Sequence, residues 1–175
     1  MSLITPRDLF LHELADTMSA EQIIVKMLPE LQKEVRLTEA KKAMSEHERE
    51  TRQQIANLQA VFKQLGEKPE PTTCHAAEGL RKEHDALHEE KPSPAVLEMG
   101  VIGGAAKTEH YEIASYTLLV QMAKDLKEPA AAKLLQENLA QEKAMAKRVQ
   151  TIAKTLGKAA KVTAKAPTKS PAKKR

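Results

Sequence analysis

Several predicted helices of this chain have one apolar face, here called a seam, and glutamates occupy positions on these seams. Read with helical spacings of three and four, which place side chains on one face of a helix, Glu109 and Glu112 fall on one apolar seam. Glu142 falls on a second seam, and Glu21 on a third near the N-terminus. A carboxylate on an apolar face is costly to bury unless it is paired or bound to a cation. Several of them inside one helical bundle therefore predict a metal site.

The glutamates are also predicted to lie at one height. If one helical hairpin turns near residue 36, Glu21 lies fifteen residues before the turn and Glu50 fourteen after it. Around a second turn near residue 127, Glu112 lies fifteen residues before and Glu142 fifteen after. At a rise of about 1.5 Å per residue, these four positions meet in a single layer. Glu109, one turn from Glu112, adds a fifth carboxylate.

Carboxylates this close repel one another, so some would have to stay protonated unless cations neutralise them. Two divalent ions about 3.5–4 Å apart would remove the conflict, and an oxygen-rich ligand set favours two Fe or two Mn ions over zinc or copper. His47 and Gln54 flank Glu50 at one-turn spacings, where they could add a nitrogen or an amide oxygen. The alternative is that each glutamate lies at the rim of the core, with its stem buried and its head in water.

Other residues capable of chemistry fit this pattern less well. His110, beside Glu109, has three alternative roles: a metal ligand, a hydrogen-bond partner of a ligand, or a surface residue. Tyr111 and Tyr116 are expected to pack in the core, and Cys74 is given no chemistry because it has no partner cysteine. The remaining histidines are expected in solvent, although the last two stand at a spacing that can hold a metal: His12, His75, His84 and His88.

The elements that must position these residues are all helical. Thr5-Pro6 is a capping residue followed by proline, which predicts a helix start, and Pro29 predicts a kink or an early end of that helix. Gly66 and Gly157 are predicted to end later helices. The predicted helices span about 6 to the mid-thirties, 38–65, 74–90, 94–126 and 129–156. Two helical hairpins joined by a long crossover with a short helix of its own predict an all-α, ferritin-like four-helix bundle.

Composition agrees with one helical domain over residues 1–156. The chain has 175 residues and only 2% aromatic residues, so its core must be filled mainly by aliphatic side chains. A single cysteine excludes an internal disulfide and favours a reducing compartment. Neither a signal-peptide pattern nor a stretch of the roughly 20 apolar residues that a membrane span needs is visible. We therefore expect a cytoplasmic protein.

The net charge of +4 is distributed unevenly. Residues 154–175 hold eight of the 28 basic side chains and no acid, so 20 basic residues against 24 acidic ones leave residues 1–153 at −4. Residues 157–175, rich in Lys, Ala and Pro, are predicted to be a disordered tail. Such a tail can neutralise phosphates and so bind nucleic acid without sequence preference. A solubilising extension is the alternative, and contact with an anionic membrane surface is a lesser one.

Several segments resemble one known family over about residues 3–156. They are LFLHELADTMSAEQ (9–22), HERETRQQIANLQAVFKQLG (47–66), CHAAEGL (74–80), KTEHYEIASYTLL (107–119) and AAAKLLQENLAQEKA (130–144), of which EHYEIASY is the most specific. On these motifs the chain is similar to the YciE/YciF-type ferritin-like proteins of bacteria, which are associated with stress responses. The resemblance implies a four-helix fold related to rubrerythrins, a homodimer and a di-iron or di-manganese centre. The ligands it implies are Glu21, Glu50, Glu109, Glu112 and Glu142.

The chain departs from the usual ligand pattern, in which a Glu is followed one turn later by a His on two helices. Gln53 follows Glu50 at that spacing and Met145 follows Glu142, while His47 lies one turn before Glu50 and can stand in. Met18 also occupies a position where the family has a tyrosine. Two hypotheses result. One is a stress-response redox protein that consumes peroxide or oxidises Fe(II); the other is a metal-independent helical dimer that associates with nucleic acid through its tail.

Overall fold

A computed structural model describes the backbone of residues 3–165 and the side chains of residues 3–160. The described chain forms five α-helices and no strand, which confirms the predicted all-α class. The helices are α1 (Pro6–Glu34), α2 (Thr38–Gln64), α3 (His75–Glu89), α4 (Pro94–Asp125) and α5 (Pro129–Lys165). None of the described helices is long and apolar enough to cross a membrane.

Local sequence sets the ends of α1 and α2 as expected. The Thr5 hydroxyl accepts from the backbone N–H of Asp8 at 3.1 Å, and the Asp8 carboxylate accepts from the backbone N–H of Thr5 at 2.8 Å. This reciprocal capping box satisfies two N–H groups that the first turn leaves free. At the C-terminal end of α2, Gly66 adopts φ +74° and the N–H of Glu67 donates to the carbonyl of Phe62 at 3.0 Å. That is the Schellman arrangement, in which glycine ends a helix at little steric cost.

Side-chain contacts define the helix directions. Arg7 at the start of α1 donates to the carbonyl of Leu65 beyond the end of α2 at 3.0 Å, and Gln32 near the end of α1 donates to the carbonyl of Lys41 at 3.3 Å. The two helices are therefore antiparallel. Helices α4 and α5 form the second hairpin, and α3 lies within the connection between the hairpins.

The core consists of two apolar clusters at opposite ends of the bundle. One joins the start of α1 to the end of α2, the end of α4 and the start of α5, with Phe10, Leu58, Leu119 and Leu135 fully buried. The other joins the end of α1 to the start of α2, the start of α4 and the later part of α5. Helices α2 and α4 therefore run in the same direction, so the connection through α3 must return along the bundle. The middle of the bundle lies between the clusters.

Proline and glycine do not end two helices at the points where an end was possible. Helix α1 ends at Glu34, in the mid-thirties as predicted, so of the kink and the early end expected at Pro29 the early end is wrong. Helix α5 continues through Gly157 to Lys165. Glycine inside a helix costs only about 1 kcal/mol relative to alanine, and the surrounding Lys and Ala residues are good helix formers. The predicted disordered tail therefore does not begin at residue 157, and its last part, residues 166–175, lies outside the described residues.

Candidate metal centre

All four bundle helices contribute an ionisable side chain to the middle layer. Helix α1 supplies Glu21, α2 supplies His47, α4 supplies Glu109 and Glu112, and α5 supplies Glu142. Each of the four glutamates is at most 1% exposed, and His47 is 4% exposed. The rim alternative, in which the carboxylate heads reach water, is therefore wrong for these four glutamates.

The side chains converge on one point. One ligand atom each from His47, Glu109, Glu112 and Glu142 can be chosen so that all four lie within 4.8 Å of one another. The Nε2 atom of His47 lies 3.3 Å from a carboxylate oxygen of Glu109 and 3.9 Å from one of Glu112. Glu21 lies beside this group, close enough to interact electrostatically with Glu142.

A polar network orients two of the carboxylates from the side of the first apolar cluster. The Tyr116 hydroxyl donates to Glu21, and the Gln54 amide donates to Glu142. Behind them, Asn138 donates to the Tyr116 hydroxyl at 3.1 Å and accepts from Asn57 at 2.7 Å. Buried hydrogen-bond networks of this kind hold side chains in one orientation. The amides and the Tyr116 hydroxyl therefore position Glu21 and Glu142 rather than fill the core alone.

Burial shifts the pKa values of the carboxyls strongly upward, because a charge loses its hydration in the interior. Burial, followed by the charge of Glu142, raises the pKa of Glu109 to about 10. Burial raises the pKa of Glu142 to about 7, against hydrogen bonds that lower it. The same cause, with Glu142 again the second contributor, holds the pKa values of Glu21 and Glu112 well above their usual range.

Burial acts on His47 in the opposite direction and lowers the pKa of its imidazole to about 4. The ring is therefore neutral near pH 7, so its short distances to Glu109 and Glu112 are not ion pairs. A neutral imidazole with a free lone pair is the form that ligates a metal. Near pH 7 the layer therefore holds a neutral imidazole and carboxyls with raised pKa values that retain protons. A cation that bound there would displace these protons.

The atoms of this layer that could ligate a metal lack hydrogen bonds from the rest of the protein. Among the described side chains, five buried carboxyl oxygens of Glu21, Glu109, Glu112 and Glu142 accept no hydrogen bond from an N–H group or a hydroxyl, and neither ring nitrogen of His47 makes one. The carboxyls can hydrogen-bond only to one another, through protons that their raised pKa values retain. Leaving buried polar atoms unpaired costs free energy at each one. Carboxylate oxygens with one imidazole are donors that iron and manganese accept. The residues present therefore form a group that could hold a metal ion.

Glu50 stands apart from this convergence. Its side chain is only partly buried, and it is not a member of the converging group. Its charge nevertheless raises the pKa values of Glu109 and Glu142, so it lies near the same site. That Glu50 ligates a metal stays a prediction. His110 is exposed and contacts the backbone oxygen of Ala106, so of its three alternatives it is a surface residue.

A narrow crevice reaches the layer from the second apolar cluster. Its volume is about 20 Å³, and it is lined by His47, Glu109 and apolar side chains that include Ile24, Leu28 and Met44. A cavity needs roughly 10–15 Å³ to hold one water molecule. This crevice therefore has room for about one water molecule.

Sequence reasoning missed part of the site. Asn138 stood on an apolar seam, as the glutamates did, and that position was the available signal for its role. Tyr116 was expected to pack; it does, but its hydroxyl also binds Glu21. Gln54 was considered as a ligand through its amide oxygen, whereas its amide nitrogen donates to Glu142.

Helices around a buried layer of carboxylates define a ferritin-like helical protein. The family model described as "Domain of unknown function (DUF892)" matches residues 5–162, and the chain belongs to that family. Protein YciF of Escherichia coli K12 is 37% identical over 145 residues, which cover 82% of this chain and 87% of that protein. The family recognised from the sequence motifs, the YciF type, is thereby confirmed.

Solved structures of related proteins have the same fold as this chain. The crystal structure of the E. coli stress protein YciF matches with a TM-score of 0.85 at 34% identity, covering 89% of this chain and 99% of that one. YcfI from Rhodopseudomonas palustris matches with a TM-score of 0.83 at 37% identity, covering 86% and 96%. A two-domain protein of Anabaena variabilis with a ferritin-like domain matches at 16% identity and a TM-score of 0.62, covering 98% of this chain and 41% of that one. This last likeness supports the predicted ferritin-like fold alone.

Proposed function

We propose that this protein is a stress-response ferritin-like protein that binds two iron or two manganese ions and uses them to consume peroxide or to oxidise Fe(II). The observation that carries the proposal is the set of carboxyl oxygens and imidazole nitrogens that lack hydrogen bonds from the rest of the protein in one buried layer. The naming of the E. coli relative as a stress protein supports the physiological context. We further propose a homodimer, as the family resemblance implies, and a cytoplasmic location, as the single cysteine favours.

The ligands in this proposal are His47, Glu109, Glu112 and Glu142, with Glu21 and Glu50 completing the set. Bound iron or manganese would supply one-electron redox chemistry between the +2 and +3 states. The chain supplies the rest. Tyr116 and the amides hold Glu21 and Glu142 in place, while His47 offers a neutral nitrogen. The narrow crevice restricts access to small molecules.

Fe(II) oxidation tests the reaction. Protein loaded anaerobically with Fe(II) and mixed with hydrogen peroxide is expected to oxidise iron at least about tenfold faster than Glu112→Gln, since loss of an interaction that supports a metal costs about 10–100-fold. Remaining Fe(II) is measured with a chelating dye after rapid quenching. Glu137→Gln, an exposed change on α5, is the matched control and should react like the wild type. Equal rates in all three proteins would mean that oxidation occurs in solution and not at this site.

A second candidate function rests on the charge at the end of α5. Lys154 and Lys158 are exposed one turn apart on the helix, and Lys161 and Lys165 continue the spacing along the sequence. We propose that these residues, with the four basic residues of 166–175, bind nucleic acid through its phosphates. This function does not require the metal centre, because the two lie in different parts of the chain.

Salt dependence tests this second candidate. Each lysine withdrawn from a phosphate is expected to reduce the slope of log affinity against log salt by about 0.9 on duplex DNA. Two altered chains remove the eight basic residues four at a time. One ends at Lys165, and the other is full length with four lysines changed to Gln: Lys154, Lys158, Lys161 and Lys165. Binding is measured by fluorescence anisotropy on two unrelated duplexes. If both altered chains bind DNA as the wild type does at low salt, residues 154–175 do not contact nucleic acid.

A further inference from the structure

A second group of potential metal ligands lies outside the bundle core. Glu34 is the last residue of α1, and His84 and His88 lie one turn apart on α3. One ligand atom from each can be chosen so that all three lie within 4.8 Å of one another. We propose that these three residues form a separate zinc site that fastens α3 to the end of α1.

The distances suit a tetrahedral ion. The Nε2 atom of His84 lies 3.2 Å from Oε2 of Glu34, and the Nε2 atom of His88 lies 2.9 Å from Oε1 of the same carboxylate. Ligands at about 2.0–2.1 Å from zinc in tetrahedral geometry are separated by roughly 3.4 Å. The two ring centroids are 4.9 Å apart with an angle of 76° between the planes, so the rings do not block each other.

The surroundings also point to a ligand. Although His84 was expected in solvent, its side chain is only 15% exposed and that of Glu34 only 18%. The Oε2 atom of Glu34 is buried and makes no hydrogen bond of normal geometry among the described residues, although Nε2 of His84 lies 3.2 Å away. Two imidazoles and one carboxylate form a donor set that zinc takes, with the fourth position left to water. This set is richer in nitrogen than the carboxylate layer of the bundle, so the two sites differ in metal preference.

The position of the site indicates what zinc would do there. Helix α3 has one buried residue within its span, Ala77, near its N-terminal end. Its C-terminal half carries both histidines, and its contacts with α4 are the half-buried Leu87 packed against Gly100 and an exposed ion pair between Glu83 and Lys107. A metal shared with Glu34 would hold this half of the crossover on α1, because a ligand that binds only the docked state stabilises that state. Zinc therefore controls the opening of the crossover and not the redox chemistry of the bundle.

Hydrogen exchange of the full chain tests the proposal at residue level, with zinc chloride as the only added ligand. At a free zinc concentration of about 100 times the dissociation constant, exchange through opening of α3 is expected to slow by about 100-fold over residues 75–89. The imidazole nitrogen signals of His84 and His88 should shift at the same zinc concentration. His84→Gln and Glu34→Gln should each weaken the effect at least about tenfold.

The matched control is His75→Gln, which removes an exposed histidine from the same helix. Zinc should protect α3 in this variant as it does in the wild type. Because the exchange and the imidazole signals are assigned to single residues, zinc bound in the carboxylate layer cannot mimic the result. Protection that is missing in the wild type, or that persists in both His84→Gln and Glu34→Gln, would show that the three residues are only hydrogen-bonded to one another.

Discussion

Metal-free protein given Fe(II) or Mn(II) under anaerobic conditions is expected to retain about two ions per chain after desalting, as carboxylate-rich ferritin-like bundles do. Glu109→Gln/Glu142→Gln is expected to lose most of this metal. Each substitution replaces an anionic donor with a neutral amide of the same shape, so it removes ligand charge without opening a cavity. Because Glu109, with its pKa raised to about 10, is protonated near pH 7 in the metal-free interior and Glu142, with its pKa raised to about 7, is about half protonated, the uncharged amides should be accommodated and the double variant should still fold.

Metal content is measured by elemental analysis, with helicity checked by circular dichroism. Glu137→Gln serves as the control, since it removes a charge from the exposed face of α5. A variant that keeps the wild-type metal content would remove Glu109 and Glu142 from the ligand set. If the wild type retains no metal, the carboxylate layer is not a metal centre. The candidate function that then stands is nucleic-acid binding by residues 154–175.

Much of this layer was predictable because helices have a fixed rise and period. Glu21, Glu112 and Glu142 interrupt apolar seams at equal distances from two turns, and counting residues was enough to place them at one height. His47 was found only as a neighbour of Glu50 in sequence, and the structure places it deeper than Glu50 itself. The pattern of apolar residues identifies which face of α2 is buried. The rotation of α2 about its axis decides whether His47 or Glu50, both at the edge of that face, enters the core.

The supporting network and the α3 cluster could not be predicted in the same way. Asn138, Tyr116 and Glu21 belong to three helices, and their contact depends on how those helices are rotated. Glu34 is separated from His84 by 50 positions and joins it only because the crossover returns to the end of α1. Local spacing predicts residues that share one helix; it does not predict which residue of another helix completes the group.

The stability of the metal-free protein is expected to fall as the pH rises above neutrality. The folded-state pKa of Glu109 is about 10, far above the ordinary value of 4.5, so the folded protein keeps a proton that the unfolded chain has released. A group of this kind stabilises the fold fully below the unfolded pKa and loses that contribution as the pH rises toward the folded one. His47, with its pKa lowered to about 4 from 6.5, behaves oppositely and loses its contribution as the pH falls below 6.5. Above pH 6.5 only the carboxyl effect remains.

Between pH 6.5 and 8.5, one such proton corresponds to a loss of about 3 kcal/mol in the free energy of unfolding, from about 1.4 kcal/mol per pH unit. Urea unfolding followed by circular dichroism at several pH values measures this slope. Glu109→Gln has no proton to lose at that position, so its slope should be shallower by about one proton, while Glu137→Gln should match the wild type. The metal-loaded protein should show no such decline, because its carboxyls have already released their protons to the bound ions. If Glu109→Gln and the wild type follow the same pH curve, Glu109 is ionised in the metal-free fold and the repulsion in the layer is relieved in another way.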